Sequence, residues 1–190
     1  MRSFFAGGVG RDDAARTYTD LLEARGVVPL LAVTSETEPT ATTVCLVTPD
    51  GQRTMRTCLG AALLYSKDFL PEKLSTCKLL HCEGYCLHKP ALLHDAIKQA
   101  RAAGAVISLD LASFEVVQAC KVTLFELWEA GLIDVLFFNE DEAVAMMEVL
   151  PTSLLIQGEY RELCFTLFLW RMYWRPAPKP IYCHACMVSG

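Results

Sequence analysis

The 190 residues are enough for one domain with a sizeable core and too few for two ordinary ones. A net charge of −5 excludes a partner held by a broad basic surface, so no nucleic acid is expected. Hydrophobic residues make up 53% and the mean hydropathy is +0.29, but no run of about 18 uninterrupted apolar residues exists, so no membrane span is predicted. The nine cysteines are scattered through strand-like and helix-like stretches, and Met1-Arg2-Ser3-Phe4-Phe5 runs straight into glycines rather than a signal-type apolar region. An odd count without a secretory segment predicts reduced thiols in an intracellular protein rather than a disulfide framework.

In chain order, Phe4-Phe5-Ala6 reads as the end of a strand, with Gly7-Gly8-Val9-Gly10 as a turn that lacks the spacing of a dinucleotide fingerprint. A helix follows over residues 12–25, with Ala14, Tyr18, Leu21 and Leu22 on one face and Gly26 as its stop. Residues 27–59 then read as a small antiparallel unit. Residues 27–33 are strand-like, and residues 42–48 and 52–59 are β-prone runs joined by Pro49-Asp50-Gly51, a hairpin signal.

Strand and helix alternate after that. Residues 78–82 form a strand ending near Gly84-Tyr85, and residues 90–103 a helix with Leu93, Ala96, Ile97 and Ala100 inward. Residues 105–110 form a buried strand. A helix over 113–130, interrupted near 121–123, turns Val117, Cys120, Leu124, Leu127 and Trp128 inward. Residues 135–138 are four large apolar residues without alternation, which suits a strand covered on both faces. Repeated units of this length predict an α/β fold with a parallel sheet, whose polar strand ends at Glu83 to Tyr85, Asp110 and Asn139 line up along one edge. The tail, residues 151–190, breaks the pattern. Its apolar run at 163–174 and the prolines 176, 178 and 180 do not suit a central strand, and an exposed, adhesive C-terminus is expected.

The stretch 131–150 carries the chemistry. Asn139 and Glu142 stand at a helix start directly after a buried strand, where open α/β sheets place ligands. The same spacing is that of a capping box, and the acids Glu140, Asp141 and Glu142 complement the helix dipole. Both readings fit the spacing.

Several motifs share an order and spacing over roughly residues 4–150: Phe5-Ala6-Gly7-Gly8-Val9-Gly10-Arg11-Asp12, Thr40-Ala41-Thr42, Thr48-Pro49-Asp50-Gly51-Gln52-Arg53-Thr54-Met55, Glu83-Gly84-Tyr85, Asp110-Leu111-Ala112-Ser113 and residues 134–142. Together they resemble the pfkB, or ribokinase-like, carbohydrate and nucleoside kinases. Residues 108–117 and 138–143 resemble a plant and algal branch near the adenosine kinases. The resemblance implies a ribokinase-like parallel sheet flanked by helices with a small antiparallel β lid, here residues 27–59. It implies a partial kinase domain over 1–150 and a non-family tail over 151–190. It also implies phosphorylation of a sugar or nucleoside hydroxyl with ATP and Mg²⁺, a cytoplasmic or plastid location, and a lid through which two copies could pair.

On the family pattern, Asn139, Glu142 and Asp110 bind the nucleotide phosphates, and Glu142 orients the water shell of Mg²⁺. The chain departs from that pattern in two places. The family's N-terminal substrate segment would precede Met1, and its Asp-Thr-x-Gly-Ala-Gly-Asp motif, which supplies the catalytic base, occurs nowhere in the sequence. Position 41 is Ala where the family often has Gly. The expectation is a kinase core cut at both ends and not competent in catalysis. The alternative is a non-catalytic ribokinase-like binding or regulatory protein. Cys77, His81, Cys82, Cys86 and His88 cluster in sequence, as do Cys183, His184 and Cys186, but without paired Cys-x-x-Cys spacing, so no zinc is expected.

Overall fold

In the computed structural model residues 2–149 are described. They form two compact units that divide between Leu74 and Ser75.

In the first unit, β1 (Ser3–Gly10) and β2 (Val27–Ser35) pair in parallel, with α1 (Asp13–Ala24) as the connection. Two expectations are corrected here. Gly7 to Gly10 are not a turn, because β1 continues through them and pairs with residues 31–35 of β2. Their small size serves close approach: a Cβ on Gly8 would lie 2.9 Å from Tyr65 Cβ, and one on Gly10 would lie 2.3 Å from the Glu38 carbonyl oxygen. Residues 27–35 accordingly leave the antiparallel unit. Once β1 extends through the glycines, this apolar run has a parallel partner, and the lack of alternation in it belongs to that pairing. The antiparallel pairing is confined to β3 (Thr42–Val47) and β4 (Arg53–Cys58), in register from Thr42 opposite Cys58 to Val47 opposite Arg53. The turn closes where Asp-Gly predicts it, with the Gly51 amide donating to the Thr48 carbonyl at 2.8 Å and the Thr48 amide to the Gln52 carbonyl at 2.9 Å. Every residue of both hairpin strands is exposed.

The second unit is a parallel sheet in the order β5 (Leu79–Cys82), β6 (Val106–Asp110), β7 (Val135–Phe137). The connections carry α2 (Pro90–Ala102), then α3 (Phe114–Ala119) and α4 (Lys121–Glu129), and α5 (Glu140–Val149) follows β7. Cys82, Ile107 and Leu109 on alternate sheet positions share one core with Leu93, Ile97, Val117, Leu124, Leu127 and Met146 from the helices. Each fully buried aliphatic side chain there contributes about 1.5–3 kcal/mol. The interruption expected near 121–123 falls at Cys120, whose amide ends α3 by donating to the Val116 carbonyl at 2.8 Å.

The start of β7 is fixed by Asp134. Its Oδ2 accepts the Ile107 amide at 2.7 Å, and its Oδ1 accepts Arg101 Nη2 at 2.8 Å. Burial pushes the Asp134 carboxyl up, but the bonds from Arg101 and Ile107 outweigh it and hold the group below the usual carboxylate range. The expectation that the tail does not complete the sheet falls on residues 151–190, outside the described residues.

Candidate active site

Three adjacent parallel strands end at the same edge of the second unit. β5 runs into Glu83, β6 ends at Asp110, and β7 leads through Phe138 to Asn139 and Glu142 at the start of α5. The edge expected from the sequence is therefore assembled. It is drawn tight by Gly84, where a Cβ would sit 2.5 Å from the Asp110 carbonyl oxygen and 2.6 Å from the Leu111 carbonyl carbon.

Asn139 and Glu142 form the reciprocal capping box. The Asn139 amide donates to Glu142 Oε2 at 2.8 Å, and the Glu142 amide donates to Asn139 Oδ1 at 3.0 Å. A third bond runs from Asn139 Nδ2 to Glu142 Oε1 at 2.8 Å. This leaves one Nδ2 hydrogen of Asn139 and a second lone pair on each Glu142 oxygen for other partners. The two residues differ in burial: Asn139 is exposed, whereas Glu142 is 3% exposed. Burial pushes the Glu142 carboxyl above its usual range. The Asn139 amide opposes this, and the charges of Asp110 and Asp141 add to it.

Asp110 spends one oxygen locally, accepting the Ala112 amide at 2.7 Å, the side-chain turn typical of aspartate. Ala112 itself adopts φ 64°, a left-handed conformation that costs a non-glycine residue about 1–2 kcal/mol. Strain beside a strand-end carboxylate is a recurring mark of ligand sites. The sequence shows no sign of it, since alanine carries no preference for that conformation. Glu83 was legible as a strand end but not as a member of a charge cluster. Crowding around its carboxyl pushes it up, the Tyr85 amide opposes this, and the Asp110 charge adds to it. No sequence signal marks that membership, because the tight Gly84 packing behind it is a tertiary contact.

Whether these groups suit Mg²⁺ can be judged from their chemistry. Every charged neighbour acting on Glu142 is an acid, so a cation nearby would relieve its burial. Among the described residues no three His, Cys, Asp or Glu side chains are grouped to hold a metal directly. The arrangement fits an ion that keeps its waters and is met by one or two carboxylates, as Mg²⁺ does. Cys82 sits in the core, and burial, with Cys86 and Cys77 adding to it, pushes its thiol up to about 12. That thiol stays protonated at neutral pH.

The first unit contains a cavity of about 630 Å³, lined mainly by apolar groups including Phe5, Val9, Tyr18 and Leu31, with Thr40 and Thr42 at the hairpin base. Among the described residues no helix is long and apolar enough to cross a membrane.

The chain resembles solved kinases in both sequence and structure. Adenosine kinase from Sinorhizobium meliloti is 28% identical with a TM-score of 0.69, over 77% of this chain and 46% of that one. Adenosine kinase from Anopheles gambiae, solved with P1,P4-di(adenosine-5) tetraphosphate, is 28% identical with a TM-score of 0.70, over 78% of this chain and 48% of that one. Adenosine kinase from Schistosoma mansoni, solved with 2-fluoroadenosine, shares the fold at 18% identity and a TM-score of 0.71, over 86% of this chain and 47% of that one. The chain spans about half the length of these relatives. No curated protein matches it in sequence. The family model described as pfkB family carbohydrate kinase matches residues 1–157. With ribokinase-like α/β architecture and a family match over most of its length, the chain belongs to the pfkB carbohydrate kinase family.

Proposed function

We propose that this protein descends from an ATP-dependent kinase that phosphorylates a hydroxyl of a nucleoside or sugar, with Asp110, Asn139 and Glu142 at the phosphate end of the sheet. The observation that carries this reading is the convergence of Glu83, Asp110 and the Asn139–Glu142 pair at the ends of three parallel strands in a pfkB chain. The likeness to two adenosine kinases at 28% identity favours a nucleoside over a simple sugar.

Mg²⁺ bound with ATP would supply neutralisation of the phosphate charge. Glu142, fixed by its capping bonds, would orient the ion's water shell, and the remaining Nδ2 hydrogen of Asn139 would donate to a phosphate oxygen. Asp110 would add charge at the neighbouring strand end. The exposed hairpin would cover the substrate and, in a dimer, meet its counterpart. Residues 1–150 would carry the kinase portion, with residues 151–190 outside it.

The same reading holds that the 190-residue chain alone does not turn over. It lacks the Asp-Thr-x-Gly-Ala-Gly-Asp sequence. General-base help is worth about 10²–10⁴-fold, and an oriented anion site a comparable factor. The second reading is a non-catalytic ribokinase-like binding or regulatory protein.

The test is phosphate transfer from ATP to a panel of sugars and nucleosides with Mg²⁺ present. No turnover is expected from the 190-residue chain. A chain extended with the family's two further segments is expected to be active and to lose activity on Glu142→Ala. Turnover by the short chain, abolished by Asp110→Asn, would make Asp110 the base. An extended chain indifferent to Glu142→Ala would reduce Asn139 and Glu142 to a helix cap, and nucleoside binding without transfer in the extended chain would favour the second reading.

A further inference from the structure

The hairpin of β3 and β4 is exposed along its whole length, and an isolated two-stranded ribbon has little stability or orientation of its own. Its direction must be set at its base, where the structure is unusually dense. Thr40, two residues before β3, is 6% exposed. Its amide donates to Asp12 Oδ2 at 2.7 Å, its hydroxyl donates to Asp12 Oδ1 at 2.6 Å, and the same hydroxyl accepts the Gly10 amide at 3.0 Å. The other leg is fastened at the same level. The Ala61 amide donates to the Pro39 carbonyl at 2.8 Å, and Thr34 Oγ1 donates to the Ala61 carbonyl at 2.6 Å.

Two glycines let these backbones close on one another. A Cβ on Gly10 would lie 2.3 Å from the Glu38 carbonyl oxygen, and one on Gly60 would lie 2.1 Å from the Pro39 carbonyl oxygen. Residues 38–40 are thus clasped from both sides. Arg11 pairs with Glu36 alongside, but both side chains are exposed and the pair adds little.

Asp12 is also the N-cap of α1, accepting the Ala15 amide at 2.9 Å. A cap needs no more than that. Ser113, which caps α3, makes the one bond to Val116 at 3.3 Å. The two further bonds that Asp12 accepts both come from Thr40. We propose that Asp12 and Thr40 are positioning residues, a buckle that fixes the angle of the hairpin against β1, β2 and α1. The buckle borders the cavity, since Thr40, Ala41 and Thr42 line it. Taken with the kinase reading, on which this part rests, it sets where the lid stands over the substrate.

The test is the orientation of the hairpin amides relative to those of α1, read from residual dipolar couplings of the full chain and of Asp12→Asn, Thr40→Val and Thr40→Ser. Asparagine caps a helix as well as aspartate does, but its Nδ2 cannot accept the Thr40 amide. In Asp12→Asn and Thr40→Val the hairpin couplings are expected to shrink by about twofold or more as the blade averages over orientations. Those of α1 stay unchanged, and the cross-strand amides of the hairpin stay protected from exchange. Thr40→Ser restores the couplings. Full hairpin couplings in both Asp12→Asn and Thr40→Val would overturn the proposal and leave Asp12 a helix cap. Should Thr40→Val fail to fold, Asp12→Asn decides by the same criterion. Neither ATP nor nucleoside enters the measurement, so its outcome is separate from that of the kinase reading.

Discussion

Helix α2 buries Leu92, Leu93, Ala96, Ile97 and Ala100, whereas α1, nearly as long and more strongly amphipathic, buries none of its residues among those described. The unit of residues 75–149 is held by a contiguous apolar core between one sheet face and its helices. The unit of residues 2–74 has few buried side chains, Val9, Thr40 and Ala61 among them, and relies on backbone pairing, close glycine contacts and the Asp12–Thr40 bonds. Amphipathic spacing shows that a face can be buried; a partner surface decides whether it is.

The largest test of this contrast is truncation. Leu109→Ala, in the core of the second unit, is expected to cost about 2–5 kcal/mol, while Leu21→Ala on α1, 48% exposed, should stay within about 0.5 kcal/mol. Urea unfolding of both variants reads the difference, and equal losses would mean that Leu21 of α1 is buried as deeply as Leu109 of β6.

A smaller effect separates the two caps. Ser113→Ala should cost about 1 kcal/mol, through the one bond it makes. Asp12→Ala should cost more, because it also releases Thr40. Thermal unfolding measured side by side decides, and equal losses would count against the hairpin buckle.

The smallest effect is one of pH, and it has opposite signs in the two units. The Glu142 carboxyl is raised in the folded chain, chiefly by burial, so the native state holds its proton more tightly than the unfolded one. Its contribution is therefore full below the unfolded carboxylate pKa and is lost as pH rises through the folded value. Asp12 is lowered, chiefly by the Thr40 hydroxyl and then by the Thr40 and Ala15 amides. Its contribution is present above the unfolded pKa and is lost as pH falls through the folded value. Melting curves across the acid range should show Glu142→Gln flattening the first slope and Asp12→Asn the second. Unchanged slopes would mean that neither environment persists in solution.

The candidate site was legible to the extent that it is built from chain-local signals. A buried apolar run followed by Asn-x-x-Glu marks a strand end and a helix start together, so the placement of Asn139 and Glu142 was legible, as was that of Asp110 at the end of its run. Glu83 joins them through the contact of Gly84 with residues 110 and 111, which no neighbour along the sequence encodes, and nothing in the residue type of Ala112 announces its φ of 64°.

By itself the sequence determined the alternation of strand and helix from residue 78 to 149, the Asp-Gly turn at 50–51 and the capping of α5. Each depends on periodicity or on hydrogen bonds spanning three or four residues. Tertiary structure alone decided that Gly7 to Gly10 continue a strand, that β2 lies beside β1 rather than in the antiparallel unit, and that Asp12 reaches Thr40 across 28 positions. The physical reason is common to all three. A glycine suits a turn and a close contact equally, an apolar run suits any sheet, and a carboxylate can accept more bonds than its own helix supplies, so the choice falls to whichever segment packs against it.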